Sequence, residues 1–176
     1  MEIRILSPEE QPSVYEAVLE MLTEADGEFL PPLSARCSTT QQDLSGTLES
    51  HGSVLPYFEQ LKSQRFLCAF EEGKLLGFVS YRKDHTCREI RQEHLPNIYI
   101  STLIVRPAAR GRGITSALYS RLFPEYGEGS VFTRTWSTNF AHIRILEKFG
   151  FEVFRVLEND RGQGVHTVYF RKPPAF

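Results

Sequence analysis

Leu103-Ile-Val-Arg-Pro-Ala-Ala-Arg-Gly-Arg-Gly-Ile-Thr115 is the stretch that decides the fold. It reads as the end of a buried strand, a glycine-rich turn and the first turn of a helix. Such a turn gathers unpaired backbone N–H groups at a helix N-terminus, where an anion can sit. Arg110 and Arg112 add positive charge beside it. The combination points to a ligand that carries phosphate.

The neighbouring sequence extends this unit in both directions. Asn97 to Val105 is apolar on both faces, as a central strand should be. Beyond the turn, Ile114, Ala117, Leu118 and Leu122 share one helical face, and Pro124 closes that helix. Val131 to Trp136 predicts another strand. Phe140, Ile143, Leu146 and Phe149 form a helical stripe stopped by Gly150. Phe151 to Leu157 and Val165 to Arg171 predict a closing strand pair around the turn Arg161-Gly-Gln-Gly164.

Upstream, Arg65 to Phe70 and Leu75 to Tyr81 flank the turn Glu71-Glu72-Gly73-Lys74 and read as an antiparallel hairpin. His85 to Pro96 is a long polar connection. Glu2 to Leu6 predicts a short strand. Ser7 suits a helix N-cap, Pro8-Glu9-Glu10 a first turn, and Val14, Ala17, Val18 and Met21 carry the helix to about Ala25. Gly27 to Ser38 is loop-like around Pro31-Pro32. Thr39 or Thr40 predicts the cap of a second helix, and a short third one lies around Tyr57 to Leu61. No repeat or linker divides the chain, so residues 1–176 are read as one domain.

Bulk properties narrow the function classes. At 176 residues with 41% hydrophobic side chains, the chain can build a substantial core. A net charge of -2 gives no general support for nucleic-acid binding. Cys37, Cys68 and Cys87 are odd in number and widely spaced, which favours neither a disulfide framework nor a structural metal site. The N-terminus does not read as a signal peptide, and no apolar run approaches the roughly 20 residues needed to span a bilayer. These features predict a cytoplasmic protein without membrane or nucleic-acid partners, as a monomer or homodimer.

Two familiar phosphate motifs fail at the turn. A P-loop requires Gly-Lys-Ser/Thr, and Gly113-Ile-Thr115 lacks the lysine. A dinucleotide fingerprint requires a third glycine, where this chain has Ser116, and belongs to an early βαβ unit rather than one preceded by hairpins.

The turn instead resembles the central coenzyme A motif, Arg/Gln-x-x-Gly-x-Gly/Ala, of the GCN5-related N-acetyltransferase (GNAT) family. Arg110, Gly111, Gly113, Leu103 and Val105 fit it, and Thr115 stands where Gly or Ala is usual. A second stretch, Thr138-Asn139-Phe-Ala-His142-Ile-Arg-Ile-Leu146-Glu-Lys-Phe-Gly150-Phe151, resembles that family's later motif, Asn-x-x-Ala-x-x-x-Tyr-x-x-x-Gly-Phe. The resemblance covers roughly residues 65 to 157. It implies an α/β acyl-CoA N-acyltransferase fold, with a mixed, mostly antiparallel sheet flanked by helices on both faces.

The resemblance further implies acetyl transfer from acetyl-CoA to an amine acceptor, a small molecule or a peptide, by direct attack in a ternary complex. Coenzyme contacts are expected from Leu103, Ile104 and Val105 on the strand. They are also expected from Arg110, Gly111, Arg112, Gly113, Ile114 and Thr115 around the turn, and from Asn139 and His142. The Arg106, Arg110 and Arg112 patch would suit the coenzyme's 3′-phosphate. A backbone N–H near Leu103 would hold the oxyanion.

The chain departs from the family's pattern at the proton-transfer positions. The central strand offers Tyr99, Ser101 and Thr102 but no carboxylate, and Leu146 replaces the usual acidic tyrosine. Candidate catalytic residues are therefore His142, on the same helix face as Leu146, Ser101 as a relay, and Glu28 in the proline-rich loop. Each has a plainer reading: a slot-lining histidine, a strand hydroxyl and a solvated carboxylate. Asn139 suits either an N-cap or a coenzyme contact. Trp136 and Phe140 suit either the acyl slot or the core. Glu28 and Arg36 could meet a charged acceptor, or belong to an ordinary surface loop. The missing carboxylate and tyrosine also leave open a non-catalytic acetyl-CoA-binding module.

Overall fold

The computed structural model describes residues 1–46 and 52–174. Seven strands run β1 (Glu2–Ile5), β2 (Arg65–Glu71), β3 (Lys74–Lys83), β4 (Asn97–Val105), β5 (Ser130–Trp136), β6 (Glu152–Leu157) and β7 (Thr167–Lys172). They form one sheet in the order β1-β2-β3-β4-β5-β7-β6. Every neighbouring pair is antiparallel except β4 and β5.

The α-helices α1 (Tyr15–Ala25), α2 (Leu55–Leu61), α3 (Ile114–Leu122) and α4 (Phe140–Lys148) cover both faces. On one face Val18, Met21 and Leu22 of α1 and Tyr57, Phe58 and Leu61 of α2 pack on Phe66, Phe78 and Ile104. On the other, Leu118, Tyr119 and Leu122 of α3 and Leu146 of α4 pack on Val79, Ile98, Val131 and Phe170. Double coverage explains why β2 is buried at four successive positions, Phe66 to Ala69, rather than alternating. The β2–β3 turn is Glu72-Gly73 with φ of 49° and 76°, the left-handed pair that a two-residue hairpin favours.

Two irregularities make the site. In β4, Ile100 pairs with Tyr81 and Thr102 with Ser80, so Ser101 bulges out of register. Across the parallel junction, pairing runs only from Asn97–Ser130 to Ile100–Thr133. Beyond it Ser101–Val105 and Arg134–Trp136 are not paired to each other. Gly77 sits opposite, where a Cβ would lie 3.1 Å from the Ile104 carbonyl oxygen, so β3 can approach β4 closely there.

The fold departs from the sequence-based expectation in three places. Ser7 and Glu10 do form a reciprocal cap, with Ser7 N–H donating to Glu10 Oε2 at 2.9 Å. This cap leads into a turn and a 3-10 segment, Gln11–Val14, and the α-helix begins only at Tyr15. No α-helix starts at Thr39 or Thr40. The Thr39 hydroxyl is buried and accepts from Gln64 Nε2 at 2.6 Å, while Thr40 N–H turns back to Ser38 Oγ. The described part of that region holds a 3-10 turn, Leu44–Gly46, and the remainder of the expected helix lies outside the described residues. Finally, Phe140 begins α4 but is 63% exposed, so the stripe of that helix comes from Ile143, Leu146 and Phe149.

Candidate active site

Where β4 and β5 part, a cavity of about 290 Å³ opens between them. Leu103, Ile104 and Val105 line one wall, and Thr135, Trp136 and Asn139 the other. The parted strands leave backbone groups on both sides without their usual ladder partners. An extended amide-bearing arm can use such an edge.

One end of the cavity is the glycine turn, reached through Arg110 and Thr115. Gly111 and Gly113 both have φ of 75°, a conformation that side chains strain to adopt. Gly113 is the N-cap of α3, and among the described residues no side chain caps that helix. Its first N–H groups are thus available to a phosphate. Gly111, Arg112 and Gly113 build the turn itself. Ile114 does not turn toward a ligand: its side chain is 2% exposed and packs in the core, so only its backbone can contribute.

The expected basic patch is charge-compensated. Arg110 pairs with Glu28 at 2.8 Å, Arg112 with Glu71 at 2.5 Å, and Arg106 with Glu20 at 3.0 Å and Glu24 at 3.3 Å. Glu20, Glu24 and Glu28 are exposed and Glu71 is half-buried at the strand end, and pairs of this kind contribute at most about 1 kcal/mol. A phosphate can therefore displace them cheaply.

His142 of α4 lines the cavity and meets the fully buried Tyr119 of α3, with Nε2 and Oη 2.7 Å apart. Their rings stack nearly parallel. Burial pulls the His142 imidazole down to about 4 and pushes the Tyr119 phenol well above its usual range. Both are neutral near pH 7. Asn139 caps α4 by accepting from His142 N–H at 3.4 Å, and its Nδ2 donates to Thr135 Oγ1 at 3.0 Å. Ser101, at the bulge, bonds Gln64 Oε1 and lies 3.0 Å from Ser80 Oγ. Gln64 continues to Thr39, which also lines the cavity. Glu28 is the one carboxylate lining it among the described residues.

The far end differs in character. Arg36, Arg134 and Arg161 line it beside Phe29 and Trp136, whose rings are 5.6 Å apart. Arg36 is 5% exposed and Arg161 6%. Burial pulls Arg36 down to about 10, and burial with Arg36 and Arg134 nearby pulls Arg161 down to about 9. Both remain cations at neutral pH.

The structure thus gathers Glu28, Ser101, Leu103, Ile104, Val105, Arg110, Thr115, Asn139 and His142 around one cavity. Phe140 stays outside it. Tyr119, Arg134 and Arg161 are not expected from the sequence. Tyr119 lies in an ordinary apolar helix stripe, and Arg161 in what looks like a solvent-facing turn. No local pattern marks either.

The Acetyltransferase (GNAT) family model matches residues 28–151. The chain therefore belongs to this family of acetyltransferases, whose acetyl donor is acetyl-CoA. Among solved structures, it is similar to the yncA protein of Salmonella typhimurium, solved with its cofactor acetyl-CoA. The two are 19% identical with a TM-score of 0.67, over 100% of this chain and 95% of the other. A ribosomal-protein-alanine N-acetyltransferase from Brucella melitensis is 20% identical with a TM-score of 0.65, over 98% and 99%. A phosphinothricin acetyltransferase from Sinorhizobium meliloti, in complex with AcCoA, is 16% identical with a TM-score of 0.66, over 99% and 88%. At such identities the likeness is one of fold. No curated protein is detectably similar in sequence.

Proposed function

We propose that the protein transfers an acetyl group from acetyl-CoA to an amine by direct attack in a ternary complex. The observation that carries this reading is the parting of β4 and β5 beside an uncapped helix N-terminus. In this reading the glycine turn and Arg110 hold the coenzyme's pyrophosphate, with Thr115 alongside. The β4 edge at Leu103–Val105 pairs with the pantetheine arm, and a backbone N–H there polarises the thioester carbonyl.

Neutral His142, fixed by Tyr119, suits a hydrogen bond to the coenzyme arm rather than proton donation, because its imidazolium is scarce at neutral pH. The leaving thiol, with a pKa of about 8.5 on the cysteine analogy, departs without an obligatory acid. The amine must lose a proton to attack. Glu28 is the carboxylate at hand, and coenzyme phosphates that attract Arg110 would free it for that role. Ser101 with Gln64 and Thr39 offers a hydrogen-bonded path for the proton.

Thiol release from acetyl-CoA in the presence of pooled amines, amino acids and peptides tests the activity. Saturable acetyl-CoA binding with no thiol release from any pool would favour a non-catalytic binding module. Glu28→Gln should lower kcat/KM about 10- to 100-fold, with the loss shrinking at high pH as the amine deprotonates unaided. An unchanged pH profile would remove Glu28 from proton transfer.

A further inference from the structure

The far end of the cavity contains more positive charge than acetyl transfer to an arbitrary amine requires. Arg36 donates from Nε and Nη2 to the Pro31 carbonyl at 3.0 and 2.7 Å. Arg161 donates from Nε to Thr167 Oγ1 at 2.9 Å and from Nη1 to the Leu30 carbonyl at 2.6 Å. Arg134 donates to Tyr169 Oη and to the Gln41 carbonyl. All of these acceptors are neutral.

Among the described residues, none of the three forms an ion pair. Asp26 acts on Arg36 and Asp160 on Arg161 only through space, since neither carboxylate touches a guanidinium. Asp26 accepts from Ser34 N–H and Oγ at 2.7 and 2.8 Å, Asp160 accepts from Thr167 Oγ1 at 2.6 Å, and Glu28 pairs with Arg110. Arg36 Nη1 and Arg161 Nη2 have no acceptor among the described residues. Neither is sealed in the interior, because the one fully buried unpartnered side-chain polar atom among those residues is Arg82 Nε. Both therefore keep some accessible surface, and both residues line the cavity.

A purely structural role explains this poorly. Arg36 and Arg161 do tie down the carbonyls of Pro31 and Leu30, but neutral donors would serve there. Burying several mutually repelling cations with no carboxylate in direct contact costs more than burying amides. A guanidinium fork matches a carboxylate or a phosphoryl group, two N–H donors to two oxygens.

We propose that the acceptor is a small amine that also carries an oxyanion, a carboxylate or a phospho group, held by Arg36 and Arg161 with Arg134 beside them. The aromatic rings fix the forks. The Arg161 guanidinium lies 5.9 Å from the Trp136 ring centroid, and that of Arg36 5.7 Å from the Phe29 centroid. The three cations also disfavour the ammonium form of a neighbouring amine, which assists its attack. This inference deepens the acetyl-transfer reading and rests on it.

The test separates the two. Trp136 is the chain's single tryptophan, so its fluorescence reports this end without turnover. The protein is titrated with a panel of N-acetylamino acids and the corresponding amides, and with 2-aminoethylphosphonate against ethanolamine. Acids should give a saturable change at least tenfold tighter than their neutral partners. The stronger of the two acid series identifies the carboxylate or the phospho group. Arg161→Gln should abolish the response and Arg161→Lys should retain part of it. Arg36→Gln repeats the test should Arg161→Gln fail to fold.

In turnover, free amino acids should exceed their amides at least 100-fold in kcat/KM, with KM for acetyl-CoA unchanged in Arg161→Gln. Equal binding of acid and amide, or no response to any acid, would overturn the anion site. Selective acid binding with no thiol release from any amine would overturn the transfer reading and leave the anion site standing.

Discussion

The two ends of the cavity are both rich in arginine, and they treat it in opposite ways. At the glycine turn, Arg106, Arg110 and Arg112 lie near the surface, each paired with a glutamate. At the far end, Arg36 and Arg161 are buried and meet only carbonyls and a hydroxyl. Exposed pairs in water are weak, so phosphates can replace the glutamates at little cost. Buried guanidiniums do not shed their charge as a histidine can, and with Asp26 and Asp160 out of direct contact, an anion between the forks would compensate them further. The first end is suited to exchange, the second to selection.

His142 sharpens that contrast, and it carries the largest expected effect on stability. It too has no ion-paired acid among the described residues, but it resolves the problem by staying neutral, near a pKa of about 4 against an ordinary 6.5. Its folded pKa is the depressed one. The stability this gives is complete above about pH 6.5, where the unfolded imidazole is also neutral. It is lost as pH falls toward 4, because the unfolded chain takes up a proton that the folded chain refuses. The loss should reach roughly 3 kcal/mol. His85, also held down to about 4 by burial, adds to the same window. Urea melts at pH 7 and pH 4.5 should show the fall, and His142→Gln should flatten about half of it. An unchanged slope in that variant would mean the imidazole is solvated and takes up protons freely.

The second effect belongs to the exchange end. Gly113→Val puts a β-branched residue at φ of 75°. The strain should amount to about 1–3 kcal/mol. If the turn holds the coenzyme's pyrophosphate as proposed, most of it should appear as a 10-fold or greater rise in KM for acetyl-CoA. Acceptor affinity, read from Trp136 fluorescence, should stay the same. A parallel loss at both ends would show that the ends are mechanically coupled.

The smallest effect tests the exchange itself. Glu71→Gln frees Arg112 from its partner, so coenzyme affinity should rise about two- to threefold while thermal stability changes by less than about 1 kcal/mol. Calorimetric titration with acetyl-CoA checks this, and high salt should erase the difference. A weaker coenzyme affinity would mean that Glu71 positions Arg112 rather than competing for it.

Much of the exchange end is legible in the chain. Strand, turn and helix are contiguous from Leu103 to Thr115, and the two glycines mark the backbone angles directly. The same local logic places α4 after Asn139 and the hairpin at Glu72-Gly73. Pairing at a distance is what escapes it. Glu20, Glu24, Glu28 and Glu71 come from α1, the loop after it and β2, so the basic patch looks unopposed in the sequence. Thr39 reads as a helix cap because its role toward Gln64 spans 25 residues. Phe140 reads as core because its stripe position is sound, although α4 turns that position outward.

The sequence by itself determined the glycine turn and the helix it opens, because backbone conformation and helix polarity are set by neighbouring residues. It also determined that the chain carries neither the strand carboxylate nor the α4 tyrosine expected of its family. Only the tertiary structure decided the rest. Packing joined Tyr119 to His142 across two helices and made that imidazole neutral. It also brought Arg36, Arg134 and Arg161 together from a loop, a strand and a late turn. Burial and charge are properties of what surrounds a residue, and those surroundings came from parts of the chain that lie far apart in sequence.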